Sequence, residues 1–584
     1  MKKKYYVLLI GLLSINTILK AQTYIQNVTV VDVINQKLIP NQTVVIKKNI
    51  ISEIKSAKKI KIPENANIIK GEGKFLLPGM TDAHVHFFQS GGLYARPDAL
   101  NLTKHSPYEK EIDWVQENME DFMQRYLKSG ITSVVDVGAT YNFLSLKNSF
   151  AQKPNLPSVY MAGPLLTTYE PDVFKNLDKN EPFKLVKTEE DARKYVREQL
   201  PYKTNFIKIW YIVLESGKDL EPGARKHEPL IKAIIDESHK NNLKVAVHAT
   251  ERITAQIAVQ NGADFLVHNV EDEIVSDDFV KLLKAKKTVL SPTLIVSDNY
   301  DKTFGQKMNY SSYELENSNP ETIGSIYDLK HLENSADSVM IKKYKARYNL
   351  PQVNAYNSKV DSVRSVNLKK LSDGGVTIAA GTDAGNIGTQ HATSFLTELK
   401  AMKQSGMSNW QILQSATINP MKIFNKENTL GSVSVGKIAD LVLLDSDPTE
   451  NLENITKINM VFKEGQALDP GNIVKTTPET LVKQQLNAYN ARNIDAFVEP
   501  YAEDVELYYF PNKLISKGKD AMIKDYGEMF SKLPDLHCEI KSRIIDGNYV
   551  IDKESVTGMG KQKIEATAIY EIKNNKISKV YFLP

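Results

Sequence analysis

Between residues 79 and 385 the chain carries eight short apolar runs, each followed by an amphipathic helical stretch. The runs are "GMTDAHVH", "TSVVDVG", "SVYMAGP", "NFIKIWYI", "LKVAVHA", "ADFLVHN", "TVLSPTL" and "VTIAAGTDAG". Strands apolar along their whole length belong to parallel sheets that are buried on both faces. Eight strand-then-helix units in succession predict an α/β fold, the (β/α)8 or TIM barrel, over residues 77–428. One connection is anomalous. Before the eighth run lies a long, polar, tyrosine-bearing insert at about 297–370, read either as helices over the barrel mouth or as surface decoration.

The flanks have a different rhythm. "YIQNVTVVDV" and "NQTVVIKKNIISEI" alternate with period two, as strands do, and similar strands return in "GSVSVGKIADLVLLDSD". Residues 22–76 and 429–472 are therefore expected to build one composite β-sandwich from both sides of the barrel. Residues 475–584 read as a separate α+β domain: two helices, then a curved antiparallel sheet with hairpins at Gly547-Asn548 and Asn574-Asn575.

The N-terminus has a basic start, Lys2 to Lys4, a short apolar core and the small residue Ala21, so residues 1–21 read as a signal peptide. Export to a periplasmic or extracellular compartment is the expectation, with no stable membrane insertion after processing. Its removal takes away four lysines and no acid, so the formal charge of +4 falls to zero. Such a balance gives no basic surface for nucleic acid. The single cysteine, Cys538, has no partner for an intrachain disulfide.

Catalytic groups of a barrel stand at the C-terminal ends of its strands. There this sequence places His84, His86, Lys208, His248, His268 and Asp383. In "HVH" both imidazoles project from one strand face, so they aim at one point. Four histidines and an aspartate exceed the donor set of one metal ion and point to two divalent ions, zinc first among them. An ammonium at Lys208 would repel such ions. A neutral amine there can instead add carbon dioxide, giving a carbamate whose two oxygens can bridge two metals.

Together, "LLPGMTDAHVHF", "FIKIW", "VAVHA", "DFLVHN", "AAGTDAG", "SATINPMKIF" and "GSVSVGKIADLVLLDSDP" resemble the amidohydrolase superfamily of metal-dependent hydrolases, in its prolidase- and imidazolonepropionase-like branch. The resemblance implies that His84, His86 and Asp383 hold one metal, that His248 and His268 hold the other, and that carboxylated Lys208 bridges them. It further implies attack by a metal-bridging hydroxide on a C–N amide bond, with Asp383 moving the proton, in a dipeptide or N-acyl amino acid. His391 is expected either to contact this small-molecule substrate or to be a plain surface residue. The alternatives are a deaminase or a cyclic-amide or lactone hydrolase on the same fold and, from another class, a catalytically silent metal-binding protein. The tail resembles SnoaL-like domains, carried by "YNARNIDAFVEPYAEDVELY". It offers no catalytic set, so a structural role, or homo-oligomerisation through it, is expected.

Overall fold

The computed structural model describes residues 22–151, 153–214, 220–332 and 335–583. The expected signal peptide, 1–21, lies outside the described residues. Five strands open the chain: β1 (Thr23–Asp32), β2 (Lys37–Lys47), β3 (Ile50–Ser56), β4 (Asn67–Lys70) and β5 (Phe75–Pro78). Bulges break β1, so Thr23–Gln26 pairs with β4 while Thr29 and Val30 pair with β5. This strand-splitting bends the sheet.

The barrel strands follow: β6 (Met80–Val85), β7 (Ile131–Asp136) and β8 (Ser158–Met161). Two extra strands, β9 (Leu165–Thr167) and β10 (Phe183–Leu185), extend the sheet beside β11 (Phe206–Trp210). Then come β12 (Lys244–His248), β13 (Phe265–Val267), β14 (Val289–Ser291) and β15 (Thr377–Ile378). All eight expected runs are strands, and their pairings are parallel. Two seams close the ring. Ala162 bridges Phe206, and Val85 bridges Ala384, with His86 N donating to Ala384 O at 2.8 Å.

The inner layer is Ala83, Val135, Phe206, Ala246, Phe265, Val289 and Ala379, all buried and in mutual contact. Lys208 and His248 lie two residues beyond Phe206 and Ala246, hence on the same inward face. That parity, and not an edge position, is why a lysine on a strand is only 1% exposed.

After the barrel, β16 (Leu441–Leu444), β17 (Ile458–Lys463) and β18 (Gln466–Leu468) rejoin the opening strands. The result is one eight-stranded sheet, β18-β17-β16-β5-β1-β2-β3 with β4 on β1. It folds over a core of Ile25, Val44, Ile46, Leu441, Leu443 and Phe462. Contacts such as Ile51 N to Lys437 O, 2.8 Å, hold its far side to the returning chain. Lys463 joins this sheet to the barrel. Its buried ammonium donates to Asp440 Oδ2 at 2.7 Å and to Ser158 Oγ at 2.9 Å.

The insert forms helices Val296–Phe304, Ser312–Asn317, Pro320–Asp328, Ser335–Arg347 and Pro351–Asp373. The tail adds helices Pro478–Ala491, Ile494–Val498 and Lys519–Lys532 with β19 (Tyr501–Tyr509), β20 (Lys513–Lys517), β21 (His537–Asp546), β22 (Tyr549–Thr557), β23 (Ile564–Lys573) and β24 (Lys576–Leu583). Both expected hairpins are present, at Asp546/Tyr549 and Lys573/Lys576. Insert and tail share one core, with Leu315, Ile323 and Ile326 packed against Leu481, Val482 and Phe497. Helix Pro320–Asp328 meets helix Pro478–Ala491 at Gly324, where a Cβ would stand 2.4 Å from Asn487 Oδ1. Among the described residues no helix is long and apolar enough to cross a membrane.

Removing one partner of a buried ion pair leaves the other charged and desolvated, at a cost of about 3–5 kcal/mol. Lys463→Met should therefore lower the urea stability of the barrel-and-sheet unit by about that amount. Lys463→Met combined with Asp440→Leu should recover much of it.

Candidate metal centre and active site

The turns after the barrel strands bring the expected residues to one place. His86, Lys208, His248, His268 and Asp383 all line a cavity of about 500 Å³ at the barrel mouth. His84 stands beside them, fully buried, with its Nε2 3.1 Å from Asp383 Oδ1. His86 Nε2 is 3.3 Å from the same oxygen, and His268 Nε2 is 3.9 Å from Asp383 Oδ2. The ring centroids of His248 and His268 are 4.3 Å apart. Asp383 and His268 reach these positions through left-handed backbone, φ +60° and +76°. Such conformations in non-glycine residues are costly and cluster at functional sites.

A test of fit for metal follows from the polar atoms. Both ring nitrogens of His84 and Asp383 Oδ1 are buried without a hydrogen bond of proper geometry. Buried donors and acceptors are rarely left so. Donor atoms of His84, His86 and Asp383 lie within 4.8 Å of one another. His86 Nδ1 lies 2.8 Å from Gly138 O, and since a carbonyl only accepts, Nδ1 carries the proton and Nε2 presents its lone pair. The His268 ring is oriented by Thr293, whose Oγ1 lies 2.6 Å from its Nδ1. The residues therefore fit a divalent metal.

The charge states agree. Burial pushes His84 down to about 4 and drives His248 and His268 well below their ordinary value, leaving neutral imidazoles. Burial pushes Asp383 upward, but the facing imidazoles outweigh it and hold the carboxyl well below its usual range. Burial also brings Lys208 down to about 7, against the opposing pull of Asp383 and Asp136. A large share of neutral amine at physiological pH follows.

Two supporting acids escaped the sequence reading. Asp82 accepts hydrogen bonds from His84 N at 3.3 Å, Thr382 N at 3.1 Å and the Thr382 hydroxyl at 2.7 Å. Asp136 accepts from Phe87 N and Gly138 N. Both sit in apolar strands, "TDAHVH" and "VVDVG", where an acid is itself the signal. Of the two readings of the insert, helices over the barrel mouth is the one the structure shows. The insert supplies Tyr300, Phe304, Tyr344, Tyr348 and Arg364, so it is more than surface decoration. Arg364 pairs with Glu271 and Asp361. Arg96 forms a two-pronged pair with Asp98 at 2.7 and 2.6 Å.

His391 stands elsewhere. It is 2% exposed, so it is not a surface residue, and it is not among the residues lining the cavity. Its Nε2 is 2.9 Å from Gln89 O, its Nδ1 is 3.1 Å from the Tyr126 hydroxyl, and its ring stacks on Phe87. With both nitrogens engaged it braces the chain behind the site, and the expected substrate contact is not made in this geometry.

Comparison with known proteins agrees with the fold. Segments of the chain match the imidazolonepropionase of Geobacillus sp. (strain WCH70), 36% identical over 83 residues, and the probable imidazolonepropionase of Homo sapiens, 28% identical over 156. These segments are 14% and 26% of this chain and only 19% and 36% of those relatives. Among solved structures, a Xaa-Pro dipeptidase with bound methionine in its active site superposes with TM-score 0.57 at 22% identity, over 77% of this chain and 100% of that one. Molinate hydrolase gives 0.57 at 19% identity, over 77% and 95%. At this identity these structures show the fold alone. The SnoaL-like domain pattern matches residues 482–580. The amidohydrolase family pattern matches residues 75–468, about two thirds of the chain and the whole metal centre, and the chain belongs to that family.

Proposed function

We propose that this protein is an exported binuclear metallohydrolase that cleaves the C–N bond of an amide, in a dipeptide or N-acyl amino acid carrying an apolar or aromatic group. The observation that carries the reading is the presence of Lys208, almost fully buried, in one cavity with His86, His248, His268 and Asp383. His84, His86 and Asp383 would hold one ion, and His248 and His268 the other. The neutral Lys208 amine would add carbon dioxide, forming a N–C bond and releasing one proton, to give the bridging carbamate. When bound, divalent ions there supply Lewis-acid polarisation of a carbonyl and lower the pKa of water.

The protein's own groups do the remainder. Asp383 accepts the proton of the attacking water and returns it to the leaving nitrogen, so the amide and water become a carboxylic acid and an amine, which end as carboxylate and ammonium. Phe183, Trp210, Phe304 and Tyr344 give the cavity an aromatic wall suited to an apolar substituent. Arg96 and Arg364 are already paired with acids, so they shape the wall and do not supply a free cation. The second reading, a cyclic-amide or lactone hydrolase or a deaminase, is favoured by the matches to imidazolonepropionases. A screen of dipeptides, N-acyl amino acids, lactones and aminated rings separates them by product: new amine, acid alone, or ammonia.

Lys208→Ala should keep the fold, lose at least one metal ion per chain, and lose activity by more than the ~10–100-fold typical of outer-shell changes. Arginine at that position should not restore it, because guanidinium forms no such carbamate. Full metal loading and activity in the alanine variant would exclude the bridge and advance the mononuclear deaminase reading.

Export rests on the N-terminal pattern alone. Mass spectrometry of protein recovered from its native host should find the chain starting at Gln22 or a close neighbour. An intact Met1 would refute it.

A further inference from the structure

A larger cavity, about 770 Å³, lies apart from the metal centre. It opens where the loop after β6, the insert helix Pro320–Asp328 and the tail meet. Interdomain clefts of this size are common ligand sites when polar groups converge on them. The question is which of its polar groups are already spent.

The cations are spent or peripheral. Lys483 pairs with Glu321 at 2.6 Å and Glu479 at 2.9 Å. Arg543 makes a two-pronged pair with Asp552. Lys110 is exposed at the rim. Those pairs also spend two of the acids, and Glu539 is engaged by Lys541.

What remains unspent inside the cleft is mainly carboxyl, imidazole and aromatic ring. Asp328, half-buried, has no hydrogen bond or ion pair among the described residues, and Glu111 receives only the Ser90 hydroxyl. His537 is 4% exposed, lines the cavity, and among the described residues has no hydrogen bond on either ring nitrogen. Its ring stacks on His331 at 3.6 Å. Burial keeps this pair neutral, pushing His331 to about 4 and His537 to about 3, so the rings offer lone pairs and π faces. Tyr94 and Trp114 add aromatic surface. Burial pushes the Asp328 and Glu111 carboxyls up to about 7, so a cation seated beside them would hold them in the charged form; with the imidazole lone pairs and the aromatic faces, and with Lys110 only at the exposed end, these surroundings favour a cation with an organic body. Among the described residues only His84, His86 and Asp383 have metal-ligand spacing, and the volume far exceeds that of one ion.

We infer that this interdomain cavity is a second, non-catalytic binding site for a small organic ammonium compound, held by Asp328 and His537 against Tyr94 and Trp114. The inference does not depend on which amide the metal centre cleaves.

The test uses the full metal-loaded protein, with benzylammonium and tetramethylammonium chloride as probes followed by calorimetry and tryptophan fluorescence. Benzoate, benzyl alcohol and zinc chloride added to the loaded protein are the comparisons. The ammonium probes should bind and the anion and alcohol should not. Asp328→Asn should weaken ammonium binding tenfold or more. His537→Phe, which retains the stack and removes the acceptors, should also weaken it. Both variants should keep the parent hydrolytic rate. The proposal is overturned if no ammonium probe binds, if binding is indifferent to both substitutions, or if zinc and not ammonium binds in an Asp328-dependent way.

Discussion

The hydrogen bond from Asp383 N to His84 O, 2.8 Å long, is where the last barrel strand meets the first. On this closure the whole site depends. Asp383 is remote in sequence from His84 and His86, and the ring brings the donor atoms of all three within 4.8 Å of one another. The seam is reinforced from below. Asp82, on the first strand, accepts from both the main chain and the hydroxyl of Thr382, on the last. At the same seam Gly381 approaches so closely that a Cβ would stand 2.7 Å from His84 Cβ and 2.2 Å from Ser291 Oγ. Closure of the fold and assembly of the candidate metal site are one structural event.

The barrel was readable from the chain because each strand is a local apolar run, and strand-end residues inherit their place from the architecture. That His86, Lys208, His248, His268 and Asp383 meet in one cavity was legible for that reason. His391 was not, because nothing in "NIGTQHATS" tells whether a ring turns into the mouth or back toward Phe87 and Phe122. The flanking domain was anticipated as a sandwich. The bulges that make it a single bent sheet leave no mark in an alternating sequence. The insert was the least legible part. Helix Pro351–Asp373 buries only a few residues, so its period signals no face, yet its Arg364 reaches the catalytic cavity.

Insert and tail become intelligible as a pair. The tail helix Pro478–Ala491 packs on the insert helices Ser312–Asn317 and Pro320–Asp328, which share a core with Phe304 of the helix that lines the catalytic cavity. Hydrogen bonds from Gln484 to Glu316 O and from Asn487 to Pro320 O, both 2.6 Å, fix the crossing. Glycine at 324 allows it to be close. The tail thus has a physical task in the packing of the insert. It completes the core of the element that shapes the mouth.

This division of labour explains how one loop serves two cavities. After β6 the chain passes Gln89 and Arg96, which face the metal centre, and Ser90, Tyr94 and Glu111, which face the interdomain cleft. The loop is held from both sides, by the pairing of Arg96 with Asp98 and by the bond from Leu93 N to Ser325 Oγ at 3.0 Å. Because packed elements shift between discrete arrangements and do not deform continuously, the mouth of the catalytic cavity and the cleft beneath the tail share one mechanical partition.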